Sequence, residues 1–228
     1  MQVRQLFDQD TWTYTYILFD EKTKEAAIID SVKEKFARDK KYINELGLKL
    51  KYALETHVHA DHITASGSHR EYFACQIAVH ADSGNRCADL KVNDGDILNL
   101  GNQEIFILHT PGHTNGDVSY LIEGAVFTGD ALLIRACGRT DFQQGSSAIL
   151  YESITNKLFT LPDETVIYPG HDYEGFTCST IGEEKALNPR LANQKPKQEF
   201  MEIMDNMNLP KPKRIDIAVP GNLACGNN

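Results

Sequence analysis

Seven side chains in this protein have the types and spacing of a metal site. The run His57-Val58-His59-Ala60-Asp61-His62 brings three imidazoles and a carboxylate together. His113 follows in a Thr-Pro-Gly-His-Thr turn, Asp130 in a Thr-Gly-Asp turn and His171 in a Pro-Gly-His turn. Imidazoles and carboxylates are ligands that divalent first-row metals accept. Burying so many convergent polar groups is costly unless a cation neutralises them. His69, His80 and His109 lie outside the pattern, and each is expected to be an ordinary surface or interior histidine. The glycines ahead of the isolated ligands (Gly112, Gly129 and Gly170) suit backbones that turn sharply to aim the next side chain.

Such a site needs rigid elements behind it, and the hydrophobic pattern supplies them. Residues 11–19 alternate and are rich in aromatic and β-branched types, which predicts a strand. Residues 25–30 form a second strand, paired as a hairpin around Asp20-Glu21-Lys22. Residues 33–46 place Phe36, Ile43 and Leu46 on one helical face, with Gly47 as the stop. Residues 48–55 read as a strand that delivers the chain directly to Thr56-His57.

Residues 63–73 are weakly helical and 76–80 a short strand. Further strands are expected at 96–100, 104–109, 118–122 and 125–127, the last two joined by a tight Glu123-Gly124 turn. Residues 146–158 read as a helix, 165–168 as a strand and 197–207 as a terminal amphipathic helix. Two mixed sheets packed face to face, with helices outside, account for that order. No internal repeat and no Gly/Ser linker is present.

Composition narrows the class. At 228 residues the chain can bury a substantial core as one domain, and 41% hydrophobic with 24% charged residues is ordinary for a globular protein. No run of about 18 apolar residues occurs, so no membrane span is expected. The N-terminus shows neither a signal-peptide core nor transit-peptide character, which makes a cytoplasmic location the default. A net charge of -9 without a dense Lys/Arg tract argues against a nucleic-acid partner. The five cysteines (Cys75, Cys87, Cys137, Cys178 and Cys225) are scattered and odd in number. They are expected to be reduced thiols, neither a disulfide framework nor a structural zinc site.

The set HVHADH, TPGHT, FTGD and YPGH resembles the metallo-β-lactamase superfamily in order and spacing along nearly the whole chain. That resemblance implies an α/β (α+β) fold of four layers, αββα, as a single domain over residues 1–228, with the metal at one edge between the sheets. In the superfamily the full ligand set usually holds two metals. One site would take His57, His59 and His113, the other Asp61, His62 and His171, with Asp130 bridging. Ligand counting alone therefore predicts a dinuclear zinc hydrolase with a bridging hydroxide as nucleophile.

Segments outside the ligands point elsewhere. ALLIRACGRTDFQQG after Asp130, then HDY from His171, STIGEE, LNPRL, NLPKP and VPGN resemble the persulfide dioxygenases, also called sulfur dioxygenases. The resemblance implies one Fe(II) per chain, held by His57, His113 and Asp130. This two-histidine, one-carboxylate set leaves positions open for O2 and substrate. His59, Asp61, His62 and His171 would then orient ligands and water by hydrogen bonds. The implied reaction converts glutathione persulfide, O2 and water to glutathione and sulfite.

Arg190 and Tyr173 match positions that contact glutathione in relatives, and the planar guanidinium suits a carboxylate. Arg139 is counted with them as a candidate substrate contact, although a structural role through Asp141 is the favoured reading. Cys137 is expected to be a packing residue rather than a persulfide carrier. A homodimer and a sulfurtransferase (rhodanese) partner are further expectations.

Two rivals remain. The first is a dinuclear zinc hydroxyacylglutathione hydrolase of the glyoxalase II type. It is disfavoured because the chain has little room for that family's helical substrate domain and reads Arg-Thr-Asp-Phe-Gln-Gln from Arg139. The second is a catalytically silent metal-binding module.

Overall fold

The computed structural model describes residues 1–226. Two six-stranded sheets face each other. The first contains β1 (Gln2–Asp8), β2 (Thr13–Phe19), β3 (Glu25–Ile29), β4 (Lys49–Leu54), β5 (Gln76–His80) and β6 (Leu90–Val92), in that spatial order. Helices α1 (Phe36–Glu45) and α2 (Ser66–Phe73) belong to this half. The second contains β7 (Ile97–Leu100), β8 (Gln103–His109), β9 (Val118–Ile122), β10 (Ala125–Gly129), β11 (Val166–Pro169) and β12 (Ser179–Thr180), again ordered as in the chain. Helices α3 (Ser147–Asn156), α4 (Ile181–Leu187), α5 (Lys197–Asp205) and α6 (Ile215–Leu223) complete the protein.

Both sheets are mixed. The predicted hairpin pairs Tyr16 with Ile29 and Phe19 with Ala26 antiparallel, whereas β3, β4, β5 and β6 run parallel. In the second sheet β10 and β11 are parallel and the other neighbours antiparallel. Three apolar clusters make four layers of this arrangement. Tyr16, Leu18, Ile107 and Tyr120 fill the space between the sheets. Ile17, Ile28, Ile43 and Ile77 pack the first sheet under α1 and α2. Val126, Leu150, Ile167 and Phe200 pack the second under α3, α4 and α5. Strand β2 is buried on both faces, with Tyr16 and Leu18 turned one way and Ile17 and Phe19 the other. Its alternating first half therefore gives way to the continuous apolar run Tyr16-Ile17-Leu18-Phe19. Each fully buried aliphatic side chain of this kind contributes about 1.5–3 kcal/mol.

The structure departs from the sequence reading at the ends and edges. Strand β1 is an edge strand whose side chains are mostly half-buried, so its alternation is weak. Helix α4 is N-capped by Thr180, which accepts from the Glu183 amide at 3.1 Å, but it is short. Helix α6 follows the helix expected to be terminal. It contains Pro220 and Gly221, which suppress helical propensity, and tertiary packing overrides that preference.

The cysteine expectation is corrected for one pair. Cys87 and Cys225 form a disulfide across 138 residues of sequence, with Cα atoms 6.0 Å apart, because α6 folds back beside the chain between β5 and β6. No spacing rule could reveal that contact. Cys75, Cys137 and Cys178 are free.

His69 on α2 is fully buried, and neither ring nitrogen has a hydrogen-bond partner. Phe36 meets it edge-on at 5.0 Å and Phe73 stacks at 6.0 Å. Burial pushes its imidazole from the usual 6.5 down to about 4. The unfolded residue therefore holds a proton between those values that the folded one lacks, so stability falls as pH drops through that window. The loss through this residue amounts to about 3 kcal/mol at 1.36 kcal/mol per pKa unit. His69→Phe should flatten the stability–pH curve between about pH 6.5 and 4 in urea titrations, since Phe suits the same aromatic site. An unchanged slope in the variant would show that the acid lability arises elsewhere.

Candidate metal centre

All seven sequence-predicted ligands converge where strands end. His57, His59, Asp61 and His62 lie on the loop between β4 and α2, His113 between β8 and β9, Asp130 just past β10 and His171 just past β11. The parallel pairing of β10 with β11 sets Asp130 and His171 side by side. Gly112 (φ 137°) and Gly129 (φ 50°) use left-handed backbone, as their sharp turns require. Gly170 serves differently: a Cβ there would stand 2.7 Å from Asp130 Oδ1.

Within this set, the ligand atoms of His57, His113 and Asp130 all lie within 4.8 Å of one another. Their hydrogen bonds decide which nitrogens are bare. Thr56 Oγ1 donates to Asp30 Oδ2 at 2.7 Å, so the same oxygen accepts the Nδ1–H of His57 at 3.0 Å. His113 Nδ1 donates to the Arg139 carbonyl at 2.6 Å. Both imidazoles thus present an unprotonated Nε2, the tautomer a metal needs. Burial, reinforced by the neighbouring imidazoles of His59 and His113, lowers the His57 pKa well below its usual value. His113 Nε2 lies 3.6 Å from Asp130 Oδ2, and Asp130 Oδ1 is buried with no hydrogen-bond partner. Two bare imidazole nitrogens and an unsatisfied carboxylate oxygen on one spot fit a divalent cation.

His59 has another environment. Its Nε2 faces Asp30 Oδ1 at 3.1 Å and Glu55 Oε2 at 3.2 Å, all three side chains being buried. Burial alone would lower its pKa, yet the two carboxylates hold it well above the usual value. Its ligand atoms group with Asp61 and His62, or with Asp30 and Glu55, and not with the triad. Asp61 accepts from His62 Nδ1 at 2.9 Å and Thr13 Oγ1 at 3.1 Å. Burial would raise the Asp61 pKa, but His62 and His171 keep it well below the carboxylate range. His171 donates Nδ1–H to the Trp12 carbonyl at 3.2 Å and aims Nε2 at Asp130 Oδ1, 3.6 Å away.

A cavity of about 470 Å³ opens above the triad. Leu133, Cys137, Met207, Leu209 and Pro210 form its apolar walls, and Arg139, Tyr173 and Arg190 are its polar reach. Such a lining, apolar with a few convergent polar groups, is typical of a small-molecule site. Arg190 Nη1 donates to the Cys137 carbonyl at 2.7 Å, and no ion pair among the described residues engages it. Tyr173 is 63% exposed and stacks on His171 at 6.0 Å. Arg139 reaches the wall, but its guanidinium forks onto Asp141 at 2.6 and 2.7 Å and donates to the Pro210 carbonyl at 2.7 Å.

The loop from Asp130 to Arg139 is shaped from beneath by Glu184, which is fully buried. Its carboxylate accepts from the Arg135 amide at 2.9 Å, Ser179 Oγ at 2.6 Å and Asn188 Nδ2 at 2.9 Å, and pairs with the Arg135 guanidinium. Asn188 also holds the Ala136 carbonyl at 3.1 Å. The STIGEE and LNPRL segments therefore build the cavity wall.

Sequence reasoning passed over Asp30, Glu55, Thr56, Thr13 and Glu184. A polar or acidic residue at a strand end or in a helix first turn is commonplace, and only burial distinguishes these. A further grouping, His80, Asp82 and His109, is a poor ligand set. The two rings lie parallel, 3.8 Å apart, so their lone pairs run in separate planes, and His80 Nδ1 already accepts from the Asp82 amide.

Comparison with known proteins agrees with this geometry. The family model of the metallo-beta-lactamase superfamily matches residues 11–171. The mouse (Mus musculus) protein named persulfide dioxygenase ETHE1, mitochondrial, is 50% identical over 227 residues, covering 98% of this chain and 88% of its own length. The crystal structure of ETHE1 from Myxococcus xanthus superposes with a TM-score of 0.97 at 52% identity, each chain covered completely. The cytoplasmic hydroxyacylglutathione hydrolase of Arabidopsis thaliana is 37% identical over 173 residues, 70% of this chain and 64% of that protein.

Thr56→Val keeps the shape but removes the oxygen that accepts from His57 and donates to Asp30. Metal affinity should fall about 10–100-fold, the usual cost of losing a group that orients a ligand. Competition against a chromophoric chelator reads this directly, and an unchanged affinity would remove Thr56 from the site.

Proposed function

The chain belongs to the metallo-β-lactamase superfamily and, within it, to the persulfide dioxygenases, and we propose that it oxidises glutathione persulfide at one Fe(II) with O2 and water, yielding glutathione and sulfite. The observation that carries this reading is the isolated triad of His57, His113 and Asp130 beneath the cavity. Bound there, ferrous iron would supply redox chemistry that zinc lacks, with positions open for O2 and a soft persulfide sulfur.

The protein's own groups do the rest. Arg190, free of any carboxylate partner among the described residues, is placed to pair with a glutathione carboxylate. Tyr173 at the rim offers a hydroxyl and a ring face. Leu133, Met207 and Leu209 keep water from the reacting sulfur. Arg139 acts mainly by tying the loop to Pro210 and Asp141 and by aiming its carbonyl at His113.

His59 Nδ1 and His62 Nε2 are buried without partners, which favours a second ion and the zinc hydrolase. Against that, Asp30 and Glu55 hold the His59 pKa well above its usual value, so its ring keeps a proton that a metal would have to displace, and Thr13 and His62 occupy Asp61. The identity to the hydrolase is also lower and spans less of the chain.

No described helix is long and apolar enough to cross a membrane. A cytoplasmic setting belongs to the proposal, whereas the mouse relative is named mitochondrial. So do a homodimer and a sulfurtransferase of the rhodanese kind as persulfide donor.

Anaerobically purified protein should contain near-equimolar iron and consume O2 only when glutathione persulfide is added. Two zinc ions per chain, with thioester cleavage and no O2 uptake, would replace this reading with the hydrolase. Arg190→Ala should raise KM for the persulfide by roughly tenfold, the scale of one charge-assisted hydrogen bond, while iron content stays unchanged. Unaltered kinetics would place the carboxylate contact elsewhere.

A further inference from the structure

The loop that carries His57, His59, Asp61 and His62 is gripped from the far end of the chain. Asn222, on α6 and only 4% exposed, donates from Nδ2 to the carbonyls of His59 (2.9 Å) and His62 (2.8 Å). Its Oδ1 accepts from the Thr64 amide at 2.8 Å. Both donor hydrogens and the acceptor of one carboxamide are thus spent on a single loop. Next to it, the Gly67 amide donates to the Cys225 carbonyl at 2.9 Å, and a Cβ on Gly226 would stand 2.1 Å from the Thr64 carbonyl. Residues 222–226 therefore lie flush along the metal loop.

Helix α6 has little to hold it in place on its own account. Pro220 and Gly221 interrupt it, and Ala218 is its one fully buried apolar side chain ahead of them. Its anchors to the body include the Arg214–Glu34 ion pair at its start (2.7 Å), the bond from Lys33 Nζ to the Gly226 carbonyl (2.5 Å), the bond from Asn85 Nδ2 to the Asn222 carbonyl (2.8 Å), the bond from the Arg86 amide to the Leu223 carbonyl (3.1 Å) and the Cys87–Cys225 disulfide. The covalent bond sits three residues from Asn222 and is the one anchor that thiols can cut. Cys87 is partly exposed and Cys225 is buried, so an incoming thiolate meets the Cys87 sulfur.

We propose that Asn222 is a positioning residue for the metal site, and that the Cys87–Cys225 disulfide locks its grip, so that reduction by thiols loosens the loop and speeds metal release. The exchange balances with two small thiols. The first attacks Cys87 Sγ and releases the Cys225 thiolate. The second displaces the resulting mixed disulfide, leaving two protein thiols and one small-molecule disulfide. Glutathione, the product assigned above, belongs to the class of thiol that performs this step. The inference rests on the metal reading of the site.

The test follows transfer of iron from anaerobically loaded protein to a ferrous chelator. Three forms are compared with the oxidised wild type: Asn222→Ala, Cys87→Ser/Cys225→Ser, and wild type reduced with a phosphine. Release should quicken by at least about tenfold in all three, the effect typical of lost ligand support, with unchanged far-UV circular dichroism at the assay temperature. Amide exchange across residues 57–67 of the metal-free protein should quicken in parallel, a readout independent of activity. Equal release rates in the double-serine variant and the oxidised wild type would overturn the lock, as would five free thiols in protein purified in air. A slow-releasing Asn222→Ala would overturn the positioning role, and should that variant not fold, the double-serine protein still decides the lock. Failure of the wild type to bind iron at all would instead count against the proposed function.

Discussion

The site depends on one buried carboxylate. Asp30 accepts from the Thr56 amide at 2.8 Å, from the Thr56 hydroxyl at 2.7 Å and from His59 Nε2 at 3.1 Å. Hydrogen bonds to a charged group contribute about 1.5–3 kcal/mol each, enough to hold a loop in one arrangement against thermal motion. The first two bonds fix Thr56 so that its hydroxyl orients His57. The third fixes the His59 ring against Asp30. A residue with φ of 51° occupies this corner, and Asp tolerates that left-handed backbone better than most. The ligand loop is thus oriented from beneath.

The four-layer sandwich explains why such precision is available. The strands that end at the site lie inside the two sheets and are paired on both edges, so their C-terminal ends are held, while ligand loops leave them by short turns, several of them glycine-bearing. Support then comes from distant parts of the chain. Asn222 reaches the His59 loop from α6, Glu184 the cavity wall from α4, and Thr13 with Trp12 the Asp61–His171 side from the start of β2. The contacts that Asn222 and Thr13 make to the metal loop are polar and saturable. That is the composition of a loop that can be tuned, in contrast to the core that carries it.

The cavity shows the same division of labour. Of its guanidinium groups, Arg139 is consumed by Asp141, as the sequence reading favoured, and by Pro210, whereas Arg190 is left open to a ligand. Charge type alone does not separate a wall from a contact; the partner within reach does.

Much of this was legible in the residues. Apolar runs located β2, β3, β4, β5 and β7 to β11, and the clustered histidines with their Gly turns marked the side chains that converge, because both signals are local. Edge strand β1, the Pro-containing α6 and the Cys87–Cys225 bond were not legible. Their formation depends on partners over a hundred residues away or on packing that outweighs propensity. By itself the sequence determined two strand-rich halves with helices outside and, through its motifs, the family, since hydrophobic period and motif chemistry are written residue by residue. Only the tertiary structure decided which imidazole nitrogens stay bare, which histidine is taken by carboxylates and which arginine remains free. Those outcomes depend on buried distances near 3 Å, at which a hydrogen bond either forms or does not.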